Sequence, residues 1–197
     1  MDAAIIDSGG ANLASLQYAF ERLGARTEVT ADLATIRSAP RVILPGVGSA
    51  ANAMARLNNI GVAQMLSRLS QPVLGICLGM QLLFERSEEG DTQCLGIFPG
   101  QVRRLEGTPE RPVPHMGWNQ LSPVRPDPLL KGVSANDYVY FVHSFAAAVS
   151  DLTVASADYG GLLSAIVRRD NFCGTQFHPE RSAATGARVL ANFLELE

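Results

Sequence analysis

The sequence predicts an α/β fold in a single domain: a mostly parallel central sheet flanked by helices, with antiparallel strands added to it. Three observations carry that expectation. Short apolar runs alternate with stretches of helical periodicity through the first half of the chain. One of those runs, Val73–Ile76, is apolar at every position, as a strand covered on both faces is. In the second half, strand-like runs follow one another too closely for crossover helices, so they read as hairpins or antiparallel additions. A chain of 197 residues suits one well-buried core.

The elements follow in order. Ala3–Asp7 is an apolar run that stops at Ser8-Gly9-Gly10, a strand and a turn. Asn12 caps a helix through Leu23, in which Leu13, Leu16, Phe20 and Leu23 recur at helical spacing. Thr27–Thr30 is a second strand, and Arg41–Leu44 a third, ended by Pro45-Gly46. Ser49 to Leu69 reads as helical, Val73–Ile76 as the fourth strand, and Leu78–Arg86 as helical again. Pro109, Pro112, Pro114, Pro123, Pro126 and Pro128 crowd the next stretch, which predicts irregular backbone. Strand-like runs then cover Tyr138–Phe145, Leu152–Ala157, Leu163–Val167 and Phe172–Phe177, before a last helix over Ala183–Leu194.

Bulk composition removes several classes. A net charge of -3 without a basic run argues against a nucleic-acid surface. No apolar run approaches the ~20 residues a membrane helix needs, and the N-terminus does not read as a signal peptide. Cys77, Cys94 and Cys173 are far apart and form no CxxC pair, so neither a metal site nor a disulfide framework is expected. A reducing, cytoplasmic setting follows. Ser8-Gly9-Gly10 is not a phosphate-binding GxGxxG, and no cofactor is expected.

The most informative stretch is Gly75-Ile76-Cys77-Leu78-Gly79. A cysteine in an apolar strand is usually core filler. Here glycines stand two positions either side, between a strand and a helix. That is the thiol counterpart of the Gly-x-Ser-x-Gly elbow. A sharp strand-to-helix turn strains the nucleophile's backbone and leaves no room for neighbouring Cβ atoms. It also sets the sulfur at a helix N-terminus, which favours thiolate. Cys94 and Cys173 lack such a context and read as structural.

A nucleophilic thiol needs a base, and the base an orienter. His178 lies in Gln176-Phe177-His178-Pro179-Glu180, just past a strand. In extended backbone, residues two apart point the same way, which would bring the Glu180 carboxylate to the imidazole. Taken alone, His-Pro-Glu would read as a surface turn. His143 shares a strand face with Val139 and Phe141 and reads as a hydrogen-bonded core histidine; His115 has no evident partner. A tetrahedral intermediate also needs two N–H donors. Leu78, the residue after the nucleophile, supplies one. The glycine-flanked Pro45-Gly46-Val47-Gly48 turn is the candidate for the second.

Taken together, Gly75-Ile76-Cys77-Leu78-Gly79-Met80-Gln81 and His178-Pro179-Glu180 resemble the motifs of the class I (triad) glutamine amidotransferases. Asn12-Leu13-Ala14-Ser15-Leu16, Pro45-Gly46-Val47-Gly48, Pro114-His115-Met116-Gly117-Trp118-Asn119, Tyr140-Phe141-Val142-His143-Ser144-Phe145 and His178-Pro179-Glu180-Arg181-Ser182 narrow it further. These are similar to the branch of glutaminase subunits that serves histidine biosynthesis. The resemblance runs over essentially the whole chain. It implies hydrolysis of L-glutamine through a Cys77 thioester, with Cys77, His178 and Glu180 as the triad. Val47, after a peptide flip, and Leu78 would form the oxyanion hole. Gly48, Gln81, Glu89, Ser144 and Phe145 would hold glutamine. The implied partner, in a heterodimer, is a (β/α)8-barrel cyclase subunit that takes the ammonia, with Asn12, Trp118, Tyr140 and Arg181 at or near that interface. Three positions differ from residues found in the family: Ser144 stands where some relatives have Thr, Phe145 where many have Tyr, and Arg181 where Lys is often found.

Other readings stay open on the sequence. The triad alone fits glutaminases that serve other acceptors, although the Pro-His-Met-Gly-Trp-Asn segment argues against them. A cysteine peptidase would need an open cleft, and a non-catalytic adaptor would have no use for an intact triad.

Overall fold

A computed structural model describes residues 1–7, 9 and 13–197. Asn12, expected both as helix cap and at a partner interface, lies outside the described residues, as do Ser8 and Gly10 of the expected turn. The chain runs β1 (Ala3–Ile6), α1 (Leu13–Arg22), β2 (Thr27–Thr30), α2 (Leu33–Ser38), β3 (Val42–Gly46), α3 (Ala50–Asn59), α4 (Val62–Leu66), β4 (Val73–Cys77), α5 (Leu78–Leu82) and β5 (Phe84–Ser87). It continues through β6 (Thr92–Gln93), β7 (Phe98–Arg104), β8 (His115–Gln120), β9 (Ser122–Pro123), β10 (Tyr138–His143), β11 (Phe145–Ala147), β12 (Thr153–Asp158), β13 (Leu162–Arg169), β14 (Phe172–Thr175) and α6 (Ala183–Leu194).

The main sheet has the order β2-β1-β3-β4-β14-β13-β12-β9. The pairs from β2 to β14 are parallel, and those from β14 outward to β9 are antiparallel. This is the expected parallel core with antiparallel additions. A strand's side chains alternate between faces. Accordingly Ala3, Ile5, Ile43, Leu74 and Ile76 pack on one side, with Phe20, Phe141, Phe177 and Phe193. Ala4, Ile6, Val42, Leu44 and Val73 pack on the other, with Leu57, Leu66 and Met80. Both faces are dry, which explains the uninterrupted apolar runs. Two smaller sheets, β10-β8 and β11-β7-β5-β6, stand beside the main one.

The structure corrects several expectations. Ser49–Leu69 is not one helix: Gly61, at φ 74°, separates α3 from α4. The helix expected over Leu78–Arg86 stops at Leu82. Phe84 then turns into β5, parallel to β7, and its ring meets Phe98 edge-on at 5.4 Å. The proline-rich stretch is not wholly irregular, because β8 lies within it and pairs antiparallel with β10. The Tyr138–Phe145 run divides at Ser144 into β10 and β11, which belong to different sheets. The short α2 escaped the sequence reading, although Asp32 caps it by accepting a hydrogen bond from the Thr35 N–H at 2.7 Å.

Candidate active site

Strands β3, β4 and β14 are neighbours whose carboxyl ends meet at one edge, with Gly46 opposite Cys77 and Thr175 opposite Ile76. Clefts beyond the carboxyl ends of parallel strands are the usual ligand sites of such sheets. The three expected functional segments, Gly46-Val47-Gly48, Cys77-Leu78 and His178-Pro179-Glu180, all leave the sheet at this edge.

Cys77 sits at the turn from β4 to α5 with φ 55° and ψ −114°. A residue with a Cβ holds such backbone at a cost of about 1–3 kcal/mol. The flanking glycines make the turn sterically feasible. A Cβ on Gly75 would come within 2.7 Å of the Gly79 carbonyl oxygen and the Met80 nitrogen, and one on Gly79 would overlap the Leu44 carbonyl oxygen. β3 and α5 therefore touch backbone to backbone, which brings the Val47 turn beside the sulfur. Leu78 opens α5, so its N–H belongs to the first-turn donors that lack an intrahelical acceptor. The Val47 carbonyl accepts a 3.5 Å hydrogen bond from Arg56.

His178 is anchored from both sides. Its N–H donates to the Tyr140 carbonyl at 2.9 Å. The buried Ser182 hydroxyl donates to the His178 carbonyl at 2.6 Å and accepts from the Tyr140 N–H at 2.9 Å. Nδ1 of His178 bonds Glu180 Oε1 at 2.8 Å. The route to that contact differs from the expected extended dipeptide. Only His178 is extended, and Pro179–Arg181 form a tight 3-10 turn that folds the carboxylate back. Gly186 permits this turn to seat on α6, since a Cβ there would overlap the Pro179 carbonyl oxygen. Cys77 and His178 line one cavity, and among the groups that favour a protonated His178 the Cys77 sulfur comes first and Glu180 second. Burial alone would push the imidazole toward neutrality, but Cys77 and Glu180 outweigh it and lift His178 to about 10.

A cavity of about 350 Å3 opens over the sulfur. Gly48, Leu78, Gln81, Glu89, Ser144 and Phe145 all line it, together with Cys77, Val47 and His178. Glu89 is not a freely solvated acid: it is half-buried and accepts the Ala50 N–H at 2.7 Å. Gln81 is buried, and its Nε2 donates to the Phe145 carbonyl at 2.7 Å and to Gln176 Oε1 at 3.0 Å. Both Nε2 protons are thus engaged, which leaves Oε1 as the atom for the cavity. A second, mostly apolar cavity of about 200 Å3 lies across the Gly46-Val47 turn and is lined by Leu16, Ile76, Val142, Glu180 and Arg181. Trp118 is about half exposed and meets the Tyr140 ring edge-on at 6.0 Å on the β8–β10 hairpin. Arg181 is exposed at the rim of the apolar cavity.

Sequence reasoning missed Val142, whose carbonyl faces the Cys77 sulfur at 3.8 Å, and Gln176, which fixes Gln81. It also left His115 without a partner. That is corrected: His115 Nδ1 lies 3.0 Å from His143 Nε2 in a buried pair. No local signal announces this contact, because it depends on the register of β8 against β10.

The chain belongs to the class-I glutamine amidotransferase family, whose sequence pattern matches residues 4–196. The solved structure of PurLQS from Thermotoga maritima contains a chain that superposes with a TM-score of 0.74 at 20% identity, covering 98% of this chain and 96% of that one. At that identity the likeness speaks for the fold alone. Closer in sequence is the imidazole glycerol phosphate synthase subunit HisH of Xylella fastidiosa, 57% identical over 196 residues, covering 100% of this chain and 98% of that protein. The HisH subunit of Xanthomonas euvesicatoria is 56% identical over 195 residues, covering 99% and 98%. Within the class, the chain is thus a glutaminase of the HisH branch.

Proposed function

We propose that Cys77, His178 and Glu180 release ammonia from glutamine by way of a thioester, and that the ammonia passes to a (β/α)8-barrel cyclase subunit of imidazole glycerol phosphate synthase in a heterodimer. The observation that carries this reading is the strained Cys77 at one cavity with a His178 that Cys77 and Glu180 together keep charged. The proton of Cys77 resides on His178, and the thiolate that this leaves attacks the carboxamide carbon. The oxygen that becomes negative takes hydrogen bonds from the N–H groups of Leu78 and Val47. As the carbon–nitrogen bond breaks, His178 returns the proton to the departing ammonia. His178 then draws a proton from water, the hydroxide breaks the thioester, glutamate departs, and the Cys77 thiolate again faces a protonated His178.

The substrate pocket follows from charge. Glu89 and the Gln81 Oε1 are both acceptors, and they suit the α-ammonium end of glutamine. Gly48, Ser144 and Phe145 form the remaining wall. Phe145 carries no hydroxyl, so this position acts through its backbone. Ammonia leaves through the apolar cavity behind the Val47 turn, away from the open entrance. Trp118, Tyr140 and Arg181 meet the cyclase, and Asn12 is a further residue assigned to that interface. The cyclase joins the ammonia to a phosphorylated ribulosyl-formimino intermediate and yields imidazole glycerol phosphate and an aminoimidazole carboxamide ribotide. The work is done in the cytoplasm, where the thiol stays reduced.

The test is glutaminase turnover of the chain alone, and then with the barrel cyclase loaded with its substrate. The expected outcome is a nearly idle free chain and stimulation of at least about a hundred-fold by the loaded partner, as completion of the oxyanion hole requires. A fast free chain indifferent to the cyclase would assign the ammonia to another acceptor.

A further inference from the structure

His115 and His143 belong to neither the triad nor the oxyanion hole, yet they end on the wall of the glutamine cavity. His143 Nδ1 lies 2.9 Å from the Phe145 carbonyl. A carbonyl only accepts, so this nitrogen carries the proton and His143 Nε2 holds a bare lone pair. The far end gives the same direction independently. Asn119 Oδ1 accepts the Gln120 N–H at 2.8 Å, and Asn119 Nδ2 donates to the Asp158 carbonyl at 2.8 Å. The amide is thereby oriented with Nδ2 toward His115 Nε2, 3.3 Å away, which must accept. His115 Nδ1 therefore holds the proton and donates to His143 Nε2 at 3.0 Å.

Both ends fix one sense of the whole chain: Asn119 to His115, His115 to His143, His143 to the Phe145 carbonyl. That carbonyl is the one that also receives the Gln81 amide. An extra proton anywhere on the pair would set two N–H groups against each other. Burial, which pushes His115 to about 4 and His143 to about 3, keeps the pair neutral. The His115 ring is clamped between Phe141 and Tyr159, at centroid distances of 4.7 and 3.9 Å. The chain starts on β8, whose opposite face carries the exposed Met116 and Trp118.

We propose that His115, oriented by Asn119, is a positioning residue of the glutamine pocket: through His143 it holds the Phe145 carbonyl, and through that carbonyl the orientation of Gln81. This rests on the glutamine pocket assigned above. The role is in binding, so its signature is in KM.

Two substitutions separate hydrogen bonding from packing. His115→Phe keeps an aromatic ring in the clamp but removes the donor, leaving the His143 lone pair buried and unmet. His115→Asn loses the ring but offers an amide N–H near the place of Nδ1. In the complex with substrate-loaded cyclase, His115→Phe is expected to raise KM for glutamine about ten-fold with kcat changed less than about three-fold, the cost of one unmet buried acceptor. His115→Asn is expected to stay within about three-fold of the parent KM. The reverse order, or an unchanged KM in His115→Phe, overturns the proposal. A second measurement does not depend on activity. Nitrogen NMR of ring-labelled histidines in the free chain at neutral pH should find His115 and His143 both protonated at Nδ1 and bare at Nε2. A proton on Nε2 of either overturns the proposal. An inactive parent complex would count against the glutaminase function instead, and the tautomers would still decide the hydrogen-bond chain.

Discussion

The His178 region and the His115–His143 region border the same cavity and treat the same side chain in opposite ways. Desolvation pushes all three imidazoles toward neutrality. At His178 a thiol and a carboxylate face the ring and reverse the effect, to about 10. Around the pair, the neighbours are carbonyls, an amide and aromatic rings. The Phe145 carbonyl favours a charged His143 only weakly, and His115 and His178 disfavour it further, so burial prevails. Burial is thus not what makes a histidine catalytic. The charge that faces it is, and one ring becomes a proton carrier while two become fixed hydrogen-bond links.

The largest way to break this contrast is to remove the facing charge. Glu180→Gln keeps the shape and an acceptor oxygen but not the carboxylate. Turnover in the loaded complex is expected to fall by at least about a hundred-fold. His178 should titrate well below its parent value, read from its ring resonances against pH. A variant with parent turnover and an unmoved His178 would mean that Glu180 only packs.

A smaller effect sharpens the contrast through stability. His178, raised, contributes stability that is complete below the unfolded value of 6.5 and lost as pH rises through about 10. His115 and His143, lowered, do the opposite. Their unfolded forms bind more protons than the native ones, so stability is complete above 6.5 and falls as pH drops toward about 4 and then about 3. Urea unfolding midpoints should therefore decline on the acid side, and the decline should be shallower in His115→Phe. An equal acid slope in parent and variant would show that the pair is not the source.

The two regions are not equally legible. The elbow is written locally, since the Cys77 backbone demands Gly75 and Gly79 within a few residues. His178 and Glu180 are likewise neighbours in sequence, although the 3-10 turn that joins them has no clear local signal. The parallel strands announce themselves because both their faces are dry. The histidine pair, by contrast, joins residues from β8 and β10 that meet only by register. β8 itself hides among prolines, and its large apolar side chains, Met116 and Trp118, stand on the exposed face while His115 and Asn119 face inward, which inverts the pattern that marks a half-buried strand. β5 reads as helix because Glu85 and Arg86 are good helix formers, whereas Phe84 is claimed by Phe98 across the sheet. Local chemistry is readable in a sequence; contacts made by register are not.

The proposed chemistry puts a covalent intermediate on one sulfur of three. The most direct test is acid quench of the loaded complex during turnover with glutamine, followed by peptide mass analysis. A glutamyl adduct is expected on the Cys77 peptide, none on the peptides of Cys94 or Cys173, and both adduct and ammonia should be lost in Cys77→Ala. Ammonia release that survives Cys77→Ala, with no adduct at any cysteine, would contradict that chemistry.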